Sequence, residues 1–128
     1  MNQKLKLIVA FIAVFALLSP IVFAGVDALR TVQKEVDSAN REISKLISEA
    51  QRAADRLTRD YENGRIDESY YRSSVASLAT TLVTTTNSIS RETIQFAADL
   101  GIRVKCERIV VDVGFMQISV DPLIICDD

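Results

Sequence analysis

The sequence predicts an α+β chain, mainly α: a long antiparallel, coiled-coil-like helical hairpin followed by a C-terminal β-hairpin closed by a disulfide. Three observations predict it. Residues 26–61 carry one apolar seam at helical spacing, with no Pro and only Gly64 beyond them as a stop. Residues 71–100 carry a second such seam. After Gly101 the apolar residues recur every second position, and the cysteines, Cys106 and Cys126, flank that stretch. The organisation read from this is a signal peptide at residues 1–24, the helical hairpin at 25–101 and the β-hairpin segment at 102–128.

The first residues are a targeting signal in composition. Lys4 and Lys6 precede an apolar run over residues 7–18, Ser19-Pro20 interrupts it, and Val22 and Ala24 stand three and one before a cut between Ala24 and Gly25. The rival is an uncleaved anchor, because residues 5–26 just reach across a bilayer of roughly 30 Å. The short apolar core and the Val-x-Ala ending favour cleavage. The expected location is therefore periplasmic or extracellular, with membrane contact only through the N-terminal segment if it is retained.

Loss of Lys4 and Lys6 moves the formal charge from −2 to −4, with both signs interspersed. That excludes the basic stripe expected of a nucleic-acid or anionic-membrane binder. The chain has no His, the commonest acid–base group at neutral pH and a usual zinc ligand. No phosphate-binding glycine loop or metal-ligand spacing is present, so no enzyme, cofactor, catalytic residue or metal ligand is expected. Asp112, Asp121, Asp127 and Asp128 are carboxylates with nothing that holds a pair at a working separation.

The first helix places Leu29, Val36, Ile43, Ala50 and Leu57 at one heptad position and Val32, Ala39, Leu46 and Ala53 at the other. At the usual rise it would be roughly 54 Å long. Asp27 is the expected N-cap, and Asn63-Gly64 the stop. Asp67 then caps a second helix, and so short a link between long helices implies antiparallel neighbours. Tyr61, Tyr70 and Tyr71 gather at this tip with Arg56, Arg59, Arg65 and Arg72. They are read as a staple of the turn rather than a binding patch, since Asp55, Asp60, Glu62, Asp67 and Glu68 neutralise the arginines.

The second seam is Tyr71, Val75, Leu78, Leu82, Thr85, Ile89, Phe96 and Leu100. Between residues 73 and 93, 11 of 21 positions are Ser or Thr, a composition with poor helix propensity. The seam on both sides argues for helix, with room for a kink near Asn87-Ser88, and the small hydroxyls read as close packing.

Beyond Gly101, residues 108–113 and 116–121 flank Gly114-Phe115, where Gly suits the first central position of a type II′ turn. This register pairs Val113 with Met116, Val111 with Ile118 and Ile109 with Val120 on one apolar face. The other face pairs Asp112 with Gln117, Val110 with Ser119 and Arg108 with Asp121. Centring the hairpin on Met116 instead would set Cys106 against Cys126 but Val111 against Asp121, so side-chain pairing favours Gly114-Phe115. Cys126 then falls three residues past register, and a bulge or bend at Asp121-Pro122 must absorb the difference. The bridge would close about twenty residues and stabilise by roughly 3 kcal/mol; a bridge between subunits is the alternative.

A lone two-stranded hairpin is marginal in water, so Ile109, Val111, Val113, Met116, Ile118 and Val120 must be covered, by the chain's own helices or by a neighbour. These residues are the candidate self-association set. The expected function is a structural or interaction protein of the envelope or exterior, a homo-oligomer with protein partners. The alternative is an extracytoplasmic holdase whose helical hairpin cradles unfolded clients. In outline alone the layout resembles the periplasmic tentacled holdases; those have basic tentacles and begin with a strand, whereas this hairpin is near neutral and begins with a helix.

Overall fold

A computed structural model describes residues 21–126, with side chains from Gly25 onward. Helix α1 (Ile21–Glu62, 42 residues) is followed by α2 (Glu68–Asp99, 32 residues) and by strands β1 (Val104–Cys106), β2 (Ile109–Val113), β3 (Met116–Val120) and β4 (Leu123–Ile125). The helices form one layer. The strands form a two-stranded ribbon that folds back over the groove between them.

Local chemistry sets the helix ends. Gly64 takes φ +73°, and the Arg65 and Gly64 N–H groups donate to the Asp60 and Tyr61 carbonyls at 2.8 and 3.0 Å. This is a Schellman closure, which only a residue tolerant of positive φ completes cheaply. Gly101, at φ +76°, ends α2 in the same way, with the Ile102 N–H bonded to the Ala97 carbonyl. Asp67 caps α2, its carboxylate accepting from the Tyr70 N–H at 2.7 Å. Asp27 is not a cap: α1 continues upstream to Ile21, and the Asp27 carbonyl accepts from the Thr31 hydroxyl inside the helix.

The buried seam departs from strict heptads. On α1, Val32, Val36, Ala39, Ile43, Ala50 and Ala54 are buried, whereas Ala53 and Leu57 are half-buried and Leu29 is 47% exposed. A helix with 3.6 residues per turn drifts against a seven-residue repeat. The ribbon, besides the partner helix, then selects which positions close. Leu29 lies on the portion of the longer α1 that the shorter α2 does not flank.

Helix α2 runs unbroken through Asn87-Ser88. Three of its hydroxyl residues, Thr86, Ser90 and Thr93, belong to the core, and Ser73, Ser77, Thr80, Thr81 and Thr84 are exposed. Thr86 donates to the Leu82 carbonyl at 2.7 Å and Thr93 to the Ile89 carbonyl at 2.9 Å. Ser90 reaches across to the Asp121 carbonyl of the ribbon at 2.7 Å. Small hydroxyls that back-bond to the helix leave the closely seated ribbon no unpaired polar atom to bury.

The β2–β3 register is the one that side-chain pairing predicts, with Ile109 opposite Val120 and Val113 opposite Met116. Gly114 takes φ +58° and Phe115 a negative φ, as a type II′ turn requires. The same alignment continues into the outer ladder, where Cys106 lies opposite Leu123 and Val104 opposite Ile125. Between the ladders the Glu107 N–H donates to the Pro122 carbonyl at 2.7 Å; Pro122 has no N–H to return. No residue is inserted on either side, so the irregularity at Asp121-Pro122 is a bend and not a bulge.

The ribbon rolls over at that bend. In the inner ladder Val113 and Val120 face the helices, while in the outer ladder Val104 and Leu123 do, residues that a flat ribbon would present on opposite faces. The strands exchange sides accordingly: β2 lies against α1 and β3 against α2 near the tip, then β4 against α1 and β1 against α2 at the far end. Strong twist is the ordinary behaviour of two-stranded ribbons.

Asn40 on α1 grips the far end. Its Nδ2 donates to the Leu123 carbonyl and its Oδ1 accepts from the Leu123 N–H, both at 2.8 Å, so one side-chain amide satisfies the edge of β4 as a neighbouring strand would. Replacing Asn40 with Ala should lower unfolding free energy by roughly 1–3 kcal/mol, because two half-buried backbone groups lose their partners. A urea titration measures this, and an unchanged midpoint would remove Asn40 from the account. A second expectation concerns Glu35, whose carboxyl burial holds above its usual range. A raised carboxyl makes the fold most stable while protonated, and stability declines as pH climbs from the unfolded value through the folded one. Glu35→Gln should therefore raise the urea midpoint at about pH 7 and converge with the parent near about pH 4.

Candidate functional site

The tip and the outer side of the ribbon carry the chemistry that packing leaves over. At the tip, Tyr61 and Tyr71 stack with ring centroids 4.7 Å apart and planes within 6°. Phe115, at the ribbon turn, meets Tyr71 at 5.7 Å and 58°, and the Arg72 guanidinium sits 5.4 Å from the Phe115 centroid. The Tyr71 hydroxyl pairs with Thr58 Oγ1 at 2.9 Å, tying α2 to α1. Arg65 pairs with Asp60 and Arg72 with Glu68, both in solvent. Tyr61 and Tyr71 thus staple the turn, and Phe115 fastens the ribbon to the same cluster. Tyr70, 57% exposed, and one side of Phe115, 50% exposed, remain open.

Gly114 fits beneath that cluster because it lacks a side chain. A Cβ there would come within 3.1 Å of Val75 Cγ1 and 3.5 Å of the Ala54 methyl. On the back of the helices, away from the ribbon, an open groove runs between α1 and α2, with Ala53, Leu57 and Leu78 along it and Arg56, Asp60 and Tyr70 at its tip end.

The candidate self-association set separates into two groups. Val113 and Val120 are fully buried beneath the ribbon, and Val111, Met116 and Ile118 are half-buried there. Of the apolar face first assigned to self-association, Ile109 alone stays 39% exposed. The chain's own helices therefore cover that face. The apolar residue left in the open lies on the reverse side: Val110, 63% exposed.

The expected Cys106–Cys126 disulfide is not formed; both thiols are free. Cys106 lies opposite Leu123, whereas Cys126 pairs with Arg103 through its N–H at 2.9 Å. Three residues of strand separate them by roughly 10 Å along the ladder, beyond the Cα spacing a disulfide spans, and an odd offset points the side chains to opposite faces. The bend at Pro122 keeps register rather than shifting it, and that is why the cysteines fail to meet. Partial burial, and then the Asp121 carboxylate, push the Cys106 thiol up.

The remaining expectations fall elsewhere. The signal-peptide reading concerns residues 1–24, of which 1–20 lie outside the described residues; α1 passes through the Ala24–Gly25 bond. Asp127 and Asp128 also lie outside the described residues. Among the described residues no helix is long and apolar enough to cross a membrane, and no three metal-ligating side chains come together. Sequence reasoning missed the three polar anchors of the ribbon: Asn40, Ser90 and Gln51, whose Nε2 donates to the Asp112 carbonyl at 3.0 Å. Their signal was a polar side chain next to or within a helical seam.

No family model, curated protein or solved structure matches the chain. The geometry therefore stands alone as the guide to function.

Two thiol measurements check the ribbon. The folded protein at about pH 7 should show Cys106 reacting more slowly with iodoacetamide than in the urea-unfolded chain, since only the thiolate attacks. Asp121→Asn should narrow that gap. Mild oxidation should yield no intrachain Cys106–Cys126 link by peptide mapping unless denaturant is present.

Proposed function

We propose that this chain is an exported, non-catalytic interaction protein, an assembly subunit of a cell envelope or extracellular structure that associates with further copies of itself. The observation that carries this reading is the apolar surface left after the fold has closed. Ile109 and Val110 lie together on the outer strand of the ribbon, and Phe115 and Tyr70 at the tip, each 39% exposed or more. Ile109 and Val110 point to opposite faces of one exposed strand, so a neighbouring strand added at its edge would flank both. The basic start, apolar run and Val-x-Ala ending of residues 1–24 support a site of action beyond the plasma membrane.

The apolar face of the ribbon is spent within the chain, so association falls to the outer strand and the helical pair. Two parallel routes are open to such a rod: strand addition at a ribbon edge and helix packing along the back groove. The back groove also favours a second reading, a holdase that shelters apolar segments of unfolded clients between its helices.

Light scattering of the protein as recovered from the producing cell, across a dilution series, separates the two. A mass that is a multiple of the protomer and falls on dilution is the expected result. A protomer mass at every concentration, with suppressed aggregation of unfolded outer-membrane protein, would favour the holdase and overturn self-association.

A further inference from the structure

Where the ribbon rolls over, its two strands are no longer equivalent. Residues 105–110 are all exposed, while residues 120–125 across the ladder are all buried or half-buried. At the crossing the ribbon therefore stands on its returning strand, with the beginning of β2, residues 108–110, uppermost and exposed. Over residues 108–110 its outer edge is exposed, and no Pro or bulge interrupts it through residue 112; at its far end the Gln51 amide of α1 reaches the Asp112 carbonyl.

Backbone parity says which groups it offers. Ile109 faces Val120, Glu107 donates to Pro122 and Arg103 accepts from Cys126, so the odd-numbered residues turn their backbone groups into the ribbon. The even-numbered residues turn theirs outward, as the Asp112 carbonyl held by Gln51 illustrates. Arg108, Val110 and Asp112 thus present N–H and C=O groups in the repeat that an antiparallel neighbour requires.

We propose that a second copy of this chain adds its own β2 to this edge, antiparallel, about a two-fold axis through Val110. This contact deepens the self-association reading above and rests on it. The argument for a second copy is charge complementarity. With the axis at Val110, Arg108 stands beside Asp112 of the second copy and Asp112 beside its Arg108, two opposite-charge pairs on one face with Val110 against Val110 between them. On the other face Ile109 comes beside Val111 of the second copy, covering the one member of the inner apolar face that is still substantially exposed. Moving the axis to Arg108 sets that cation against itself. Moving it to Ile109 puts Arg108 beside Val110 and Glu107 beside Val111. A two-fold contact must be self-complementary, and Val110 is the centre that meets this.

Each copy gives up one of the three polar anchors that seat its ribbon, that of Gln51, and keeps those of Asn40 and Ser90. Arg108 reaches Asp121 at 3.8 Å, with its side chain 75% exposed, so it is free to turn to a new partner. The bond from Gln51 to the Asp112 carbonyl is replaced by the Arg108 N–H of the second copy.

The test uses the full protein as recovered from the producing cell, in sedimentation equilibrium with far-UV circular dichroism alongside. Val110→Pro removes an N–H that faces solvent in one copy, where an edge strand accepts Pro, but deletes both central bonds of the pair. It should weaken association by at least about tenfold with unchanged helix content. Arg108→Asp should weaken it too, and Arg108→Asp with Asp112→Arg should restore it. If Val110→Pro unfolds the protein, the charge pair decides, since it alters no backbone group. Self-association that is equal in the parent, Val110→Pro and Arg108→Asp would overturn this contact and leave the self-association reading standing. A protomer mass for the parent at every concentration would overturn both.

Discussion

The ribbon and the helical pair exist only on each other. Two antiparallel strands bury too little surface to persist alone in water. Here their apolar side is pressed into the groove between α1 and α2, where Val120 and Leu123 join Ile43, Ile89 and Phe96 in one core and Val113 joins Ala54 and Leu82 in another. Apolar burial supplies the attraction but little direction. Direction comes from three polar side chains on the helices, Asn40, Gln51 and Ser90, each bonded to a backbone carbonyl of the ribbon. They set where along the groove the ribbon sits, and the Asn40 amide does so from both of its ends.

That seat accounts for the three buried hydroxyl residues of α2, Thr86, Ser90 and Thr93. A helix rich in Ser and Thr has poor intrinsic propensity, and tertiary packing must hold it. A large aliphatic residue at Ser90 would crowd the ribbon, whose Asp121 carbonyl this hydroxyl reaches at 2.7 Å. A hydroxyl is small, bonds to the carbonyl one turn earlier or to the ribbon, and leaves no orphan. At Ser90 helix propensity yields to the close approach of a second layer.

The same seat produces the roll at Pro122. A ribbon laid along two helices must keep apolar side chains downward at both ends, yet its natural twist turns them away. Rolling through half a turn lets one face serve the tip end and the other the far end. One consequence follows from this accommodation: the start of β2 rises clear of the helices, residues 105–110 being exposed. The thiols stay apart for a separate reason, the unshifted register through Pro122.

Much of the fold is legible in the chain. Both helices, both Schellman closures, the Asp67 cap and the strand register follow from periodicity, from glycines where positive φ is needed, and from side-chain pairing across a two-residue turn. These are local rules, decided within a few residues of chain. What tertiary structure alone decided is everything that depends on two faces meeting. The heptad at Ala53 slipped to Ala54 because the ribbon shares the helix with its partner. Asp27 lost its capping role because α1 extends upstream of it. The apolar set from Ile109 to Val120 was covered from within, and Val110 was left out. Cysteine count and spacing are blind to such outcomes, since a disulfide depends on which way a strand has turned, and that is settled only when the ribbon finds its groove.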